Sequence, residues 1–380
     1  METRKLYYED CHLREFTARV TGCQESDKGW LVTLDATAFY PEGGGQACDL
    51  GTLGNATVLD VQEQGEQVVH LCDKPLTVGS TVAGYIHWER RFDLMQQHSG
   101  EHILSGLIHE KFGYHNVGFH IGSDVMEVDF DGPITWEELL ELEAKANEAV
   151  WKNLPIRCSF PSPEELPTLI YRSKKALDWP VRIVQVPGYD TCACCGVHVA
   201  TTGEVGIIKV LSCVKFHQGV RIQMLCGGRA YRYLAQVFEQ NRQVSQLFSA
   251  KHLETADAAA RFQQQLTAEK FRATGLQKRL FEAIAQAYTG KGQVVHFEND
   301  LSAAGVRELA DRIAAVCDGT ATVFSGSDEN GYNVCILGDR AKELGAAMTQ
   351  AFPGRGGGKP GTFQGSVHAT QAQLLDLFRS

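Results

Sequence analysis

Phe92-Asp93-Leu94-Met95-Gln96-Gln97-His98-Ser99-Gly100-Glu101-His102-Ile103-Leu104-Ser105-Gly106-Leu107-Ile108 is the point at which the chain changes period. Leu94, Met95, His98, His102, Ile103, Leu107 and Ile108 fall near one face of a helix, which Gly113 then ends. His98 and His102 stand one turn apart on that face, within reach of a single ion. On the N-terminal side, from Lys5 to about Trp88, the pattern is one of short alternating runs. Thr17–Val20, Gly29–Thr37, Ala56–Gln62 and Gln67–Leu71, separated by glycine and charged turns, predict a small β-barrel or sandwich.

C-terminal to the helix come a strand at Val125–Asp131, a second amphipathic helix over about Thr135 to Asn153, and strands at Val181–Val186, Val205–Val210 and Val220–Leu225. From Arg229 to about Tyr288 the sequence is rich in Ala, Gln, Glu, Leu and Arg and has no proline, a composition suited to long helices acting as a spacer or a dimer arm. Strands at Gln293–Glu298, Thr320–Gly326 and Asn333–Gly338 then alternate with helices at Val306–Val316 and Ala341–Phe352. The expected class is α+β, in four parts: a barrel with a glycine-rich motif (residues 1–88), a metal-containing domain (89–228), a helical arm (229–290) and a small α/β domain (291–380).

A chain of 380 residues that is 43% hydrophobic buries several cores. No apolar run reaches the roughly 18 residues that cross a bilayer, and the N-terminus lacks a signal-peptide core, so a soluble cytoplasmic chain is expected. The formal charge of −10 excludes nucleic-acid binding by overall field, leaving local contacts only. Two basic stretches remain, Arg172 to Lys175 with Arg182, which reads as solvated surface, and Arg355 with Lys359 in a glycine-rich loop able to cradle phosphate.

Of twelve cysteines, Cys192, Cys194 and Cys195 cluster. Cys194-Cys195-Gly196-Val197-His198 offers a thiolate and an imidazole which, with His98 and His102, make a tetrahedral N/S zinc set. Spacing alone does not choose between Cys194 and Cys195. The competing H-x-x-E-H reading, with Glu101 as the base of a peptidase, leaves the Cys194–His198 segment unexplained.

Three motifs agree in order: Phe39-Tyr40-Pro41-Glu42-Gly43-Gly44-Gly45-Gln46, the His98/His102 helix, and Cys194 to His198 followed by Thr202-Gly203-Glu204-Val205-Gly206. In these the chain resembles the free-standing alanyl-tRNA editing proteins, the long form of the AlaX group. Its last domain, with Pro353-Gly354-Arg355-Gly356-Gly357-Gly358-Lys359-Pro360, resembles the C-terminal module of alanyl-tRNA synthetases. The resemblance selects Cys194 as the thiolate ligand, with Cys195 a buried bystander and Cys192 beyond the ligand shell. It implies one zinc per chain, and hydrolysis in trans of Ser-tRNA(Ala), or Gly-tRNA(Ala), with no adenylate-forming domain ahead of the barrel. It places Gly43, Gly44, Gly45 and Gln46 at the pocket, with His120 positioning water or serine beside Ser123. Partners are then the acceptor end of mischarged tRNA(Ala), contacted also by Arg355 and Lys359, and a second copy through the arm or last domain. Departures are Cys195, and Val197 where the family usually has threonine.

Overall fold

A computed structural model describes residues 2–173 and 180–379. It is of mixed α+β class and separates into two compact units, Met1–Gln243 and Val244–Ser380.

In the first unit, strands Glu15–Ser26, Gly29–Leu34, Gln67–Cys72, Ala56–Gln64, Gly51–Leu53 and Thr81–Ile86 are neighbours in that order, and the last pairs back onto the first. Alternation drives closure: Phe16, Ala18 and Val20 point inward while Glu15, Thr17 and Arg19 face water. They meet Val32, Leu34, Phe39, Leu53, Val58, Val61 and Val68 in one apolar core, where each large side chain contributes about 1.5 to 3 kcal/mol. Register shifts at Val20/Gly22 and Val58/Asp60 supply the local bends that closing a short-stranded sheet requires.

Helix α1 (Trp88–Phe112) leaves the barrel and ends at Gly113, whose φ of 73° suits glycine. Its root is tied to the barrel by fully buried Arg91, whose Nε lies 2.9 Å from Asp49 Oδ1. From Leu94 to Ile108 the helix is buried on all sides, polar residues included, and these are paired. Gln97 exchanges two hydrogen bonds with the backbone of Cys226, at 2.9 and 2.8 Å. A Cβ at Gly106 would lie 2.1 Å from Tyr189 O, so only glycine lets the helix approach the strand that follows.

Strands Ile208–Phe216, Gly219–Cys226, Met126–Phe130 and Asn116–Ile121 form an antiparallel sheet in that order. Its inner face packs on α1 and on α2 (Trp136–Lys152). The latter is capped by Thr135, which exchanges hydrogen bonds with Glu138, and by Asn153 at φ 48°. A second sheet orders Arg157–Ser159, Ile183–Val186 and Asp190–Ala193. Helix α3 (Gly227–Phe248) follows.

In the second unit, α4 (Thr255–Gln286) exposes Phe262, Leu266, Phe271, Leu276 and Leu280 and buries Ala258, Phe281 and Ala285. A five-stranded sheet runs Val294–Glu298, Ala321–Ser327, Gly331–Leu337, Thr362–Val367, Gly354–Gly357, with the first pair parallel and the others antiparallel.

Candidate metal centre

The first unit brings His98 and His102 of α1 against Cys194 and His198, which follow strand Asp190–Ala193. One ligand atom from each of the four lies within 4.8 Å of the others. The His98 and His198 rings are 4.5 Å apart, those of His102 and His198 4.6 Å, and Cys194 Sγ is 3.3 Å from His98 Nε2. A tetrahedral zinc at ordinary bond lengths separates sulfur and imidazole nitrogen by about 3.6 Å.

Each imidazole is held from behind. His98 Nδ1 is 2.8 Å from Gln46 Oε1, His102 Nδ1 is 2.9 Å from Asp190 Oδ2, and His198 Nδ1 is 3.3 Å from Ser99 Oγ. With every Nδ1 occupied, the Nε2 atoms are left to bind. His198 Nε2 is buried and has no hydrogen-bond partner among the described residues, an orphan that a cation would satisfy. Burial opposes charge on Cys194, but the imidazoles of His98 and His102 hold its thiol well below the usual range. Burial, with His98 and His102 alongside, pushes His198 down to about 3, keeping it a neutral donor. The donor set therefore fits zinc: one thiolate and three imidazoles, each imidazole oriented by a neighbour.

The turn carrying Cys194 and His198 is fixed by Arg182, which donates to the carbonyls of Cys194 at 3.0 Å and Gly196 at 2.7 Å. Its guanidinium lies over the Tyr8 ring, whose hydroxyl donates to Cys195 O at 2.7 Å. Gly196 packs flat on His98: a Cβ there would be 2.1 Å from its Cε1.

Gly43 and Gln46 exchange backbone hydrogen bonds of 3.0 Å across a two-residue turn with φ of 58° at Gly44 and 81° at Gly45. A Cβ on Gly45 would strike Phe119 at 2.4 Å, and one on Gly44 would touch Cys195 Sγ at 3.0 Å, so the turn lies over the metal-ligand segment. Gln46, expected at the substrate, is 1% exposed and spends its carbonyl on His98, while its Nε2 has no hydrogen-bond partner among the described residues.

Several expectations need correction. His120 does not join the cluster: in Asn116–Ile121 it is Phe119 whose ring lies 5.0 Å from that of His98, tilted by 35°, so strand alternation turns His120 to the opposite, exposed face, opposite Glu127. Ser123 is exposed in the following hairpin turn. Cys195 is exposed, not buried, and Cys192 is buried behind the ligands. The buried carboxylate of Glu101 accepts from Ser105 and Asn116 through Oε1, and its Oε2 lies 3.9 Å from His102 Nε2. Arg172 and Arg182 turn inward instead of forming a solvated patch; Lys174 and Lys175 lie outside the described residues. Arg355 and Lys359 are exposed in the second unit, Arg355 on the edge strand Gly354–Gly357 beside Asn333, Ser366 and His368. Missed were Asp190, Ser99 and Phe119; a lone carboxylate placed on the same strand face as Cys192 was the available signal for the first.

The family model of class II (A) tRNA synthetases matches residues 2–90, and that of the threonyl and alanyl tRNA synthetase second additional domain matches residues 181–223. An alanine–tRNA ligase of Ignicoccus hospitalis is 35% identical over 260 residues, 65% of this chain but 28% of the ligase. One of Pyrobaculum neutrophilum is 31% identical over 99% of this chain, again spanning less than half, 44%, of the ligase. An alanyl-tRNA editing protein of Danio rerio is 28% identical over 95% of this chain and 93% of its own length. The chain is thus similar to alanyl-tRNA editing proteins along nearly their whole length, and to alanine–tRNA ligases over less than half of theirs.

Proposed function

We propose that the chain is an aminoacyl-tRNA hydrolase that deacylates Ser-tRNA(Ala), and Gly-tRNA(Ala), at a zinc centre formed by His98, His102, Cys194 and His198. The observation that carries this reading is the convergence of three oriented imidazoles and a low-pKa thiol under the Gly43–Gln46 turn. Zinc held by these four residues would supply positive charge to offset the negative charge that develops in ester hydrolysis. The chain's own residues do the rest. Gln46, Asp190 and Ser99 orient the imidazoles, and Gly43 to Gly45 let the backbone come close over the Cys194–His198 segment.

Once Gln46 Oε1 accepts from His98, its Nε2 is a buried donor aimed away from that bond and without a partner among the described residues. A serine hydroxyl satisfies it; an alanine methyl leaves it unpaired, at a cost of about 1 to 3 kcal/mol from that group alone. A synthetase pocket sized for alanine discriminates poorly against serine, so a second sieve with a polar pocket is the needed complement. Arg355 and Lys359, exposed on and beside a glycine-rich edge strand, are assigned to tRNA phosphates.

The test is release of labelled serine from Ser-tRNA(Ala), beside Ala-tRNA(Ala) and Ser-tRNA(Thr), with and without a zinc chelator. Chelator-sensitive loss of Ser-tRNA(Ala) alone is expected. Four protein donors also make a shell closed like that of structural zinc sites, which favours one rival: a zinc-stapled tRNA-binding protein. That protein retains Ser-tRNA(Ala) and releases no serine. Preferential loss of Ser-tRNA(Thr) would shift the substrate to threonine tRNA.

A further inference from the structure

Strand Asp190–Ala193 pairs on one edge with Ile183–Val186. Among the described residues, Arg172 takes its other edge. Arg172 N donates to Thr191 O and Ala193 N donates to Arg172 O, both at 2.8 Å, as a parallel bridge opposite Cys192. This backbone clamp delivers the guanidinium to the strand's own carboxylate. Arg172 Nε lies 2.8 Å from Asp190 Oδ1 and Nη2 lies 2.9 Å from Oδ2, two parallel bonds of the kind only arginine makes. The side chains are 11% and 1% exposed. Asp190 Oδ2 also accepts from His102 Nδ1 at 2.9 Å.

Among the four candidate ligands, His102 alone has a carboxylate behind it; His98 has a carboxamide and His198 a hydroxyl. A carboxylate partner fixes the tautomer and strengthens the imidazole as a donor. A buried carboxylate of this kind needs its own counter-charge, and Arg172 is it. Cys192 approaches His102 and Asp190 closely enough to suggest a separate three-residue ion site, but the relevant His102 nitrogen and both Asp190 oxygens are already spent on this network.

We propose that Asp190, clamped by Arg172, is a positioning pair that holds His102 with Nε2 presented to the metal and sets its strength as a ligand. The inference rests on the zinc reading of the cluster. It removes Arg172 from any role in contacting RNA and makes the 157–173 segment part of the metal site's scaffold.

Three variants separate the contributions. Asp190→Asn keeps an acceptor for His102 but loses the charge, and Arg172→Lys keeps the charge but loses the fork. The double variant Asp190→Leu/Arg172→Met replaces the buried pair with apolar volume and leaves no uncompensated charge. Competition with a chromophoric chelator is expected to show zinc bound about 10- to 100-fold more weakly by Asp190→Asn and by the double variant, and less weakened in Arg172→Lys. At saturating zinc, Arg172→Lys should recover its serine release. Nitrogen NMR of the metal-free protein should show the proton of His102 on Nδ1, and its release from that position in the double variant.

Wild-type zinc affinity in folded Asp190→Asn and double variants, or a wild-type His102 without a proton on Nδ1, overturns the proposal. Failure of the wild-type chain to bind zinc is a different result: it overturns the zinc centre, while the NMR measurement still decides whether Asp190 positions His102.

Discussion

Gly196→Ala adds one methyl group where there is no room for it, and the structure says against what. The new Cβ would sit 2.1 Å from His98 Cε1 and 2.3 Å from Nδ1, with Gln46 Oε1 at 3.2 Å. Relieving an overlap of that depth requires the His98 ring to rotate or shift, which breaks its 2.8 Å bond to Gln46. Overpacking of a close-fitted site costs about 1 to 3 kcal/mol, and the lost hydrogen bond about 1 kcal/mol more. A total of about 2 to 4 kcal/mol corresponds to roughly 30- to 700-fold weaker zinc binding, at about 1.4 kcal/mol per tenfold. Chelator competition measures this directly. The clash is with His98, so in a His98→Ala background the same substitution should cost almost nothing further in folding stability, a coupling that a double-mutant cycle reads. Zinc binding unchanged in Gly196→Ala, or strictly additive effects in the cycle, would refute the reasoning.

His98→Ala, His102→Ala and Cys194→Ala should each abolish serine release and reduce bound zinc from one per chain to none by elemental analysis. Cys195→Ala, at an exposed thiol, should leave most of both. In the barrel, His70 is fully buried, with Nδ1 3.0 Å from Val32 O and Nε2 2.8 Å from Thr37 Oγ1, and burial pushes it down to about 4 from an ordinary value of 6.5. The unfolded chain therefore takes up a proton that the folded one refuses. Stability should be at its full value above about pH 6.5 and fall as the pH drops towards about 4, by roughly 2 to 3 kcal/mol at pH 4.5. Urea unfolding of wild-type and His70→Gln at pH 7.5 and 4.5 checks this: the variant's acid loss should be smaller by that amount, and equal losses would show that His70 is not the group responsible.

Local chemistry decided much of this protein from sequence alone. The helical period around His98 and the glycine at position 113 marked α1, the amphipathic period from about Thr135 marked α2, and the i, i+4 imidazoles marked His98 and His102 as candidate ligands; these depend on neighbours within a few residues, whereas the choice of Cys194 over Cys195 came from the family resemblance. What remained hidden was set by partners far along the chain. Whether Phe119 or His120 faces the site depends on which face of the sheet packs on α1, and Asn-Val-Gly-Phe-His-Ile from Asn116 to Ile121 does not alternate cleanly enough to say. Gln46 meets His98 across 52 positions, Asp190 meets His102 across 88, and Arg172 enters only because its backbone joins the strand that carries Asp190. A charged side chain reads as solvated until its counter-charge is in view, because burial is affordable only as a pair, and pairs of that kind are made by tertiary packing.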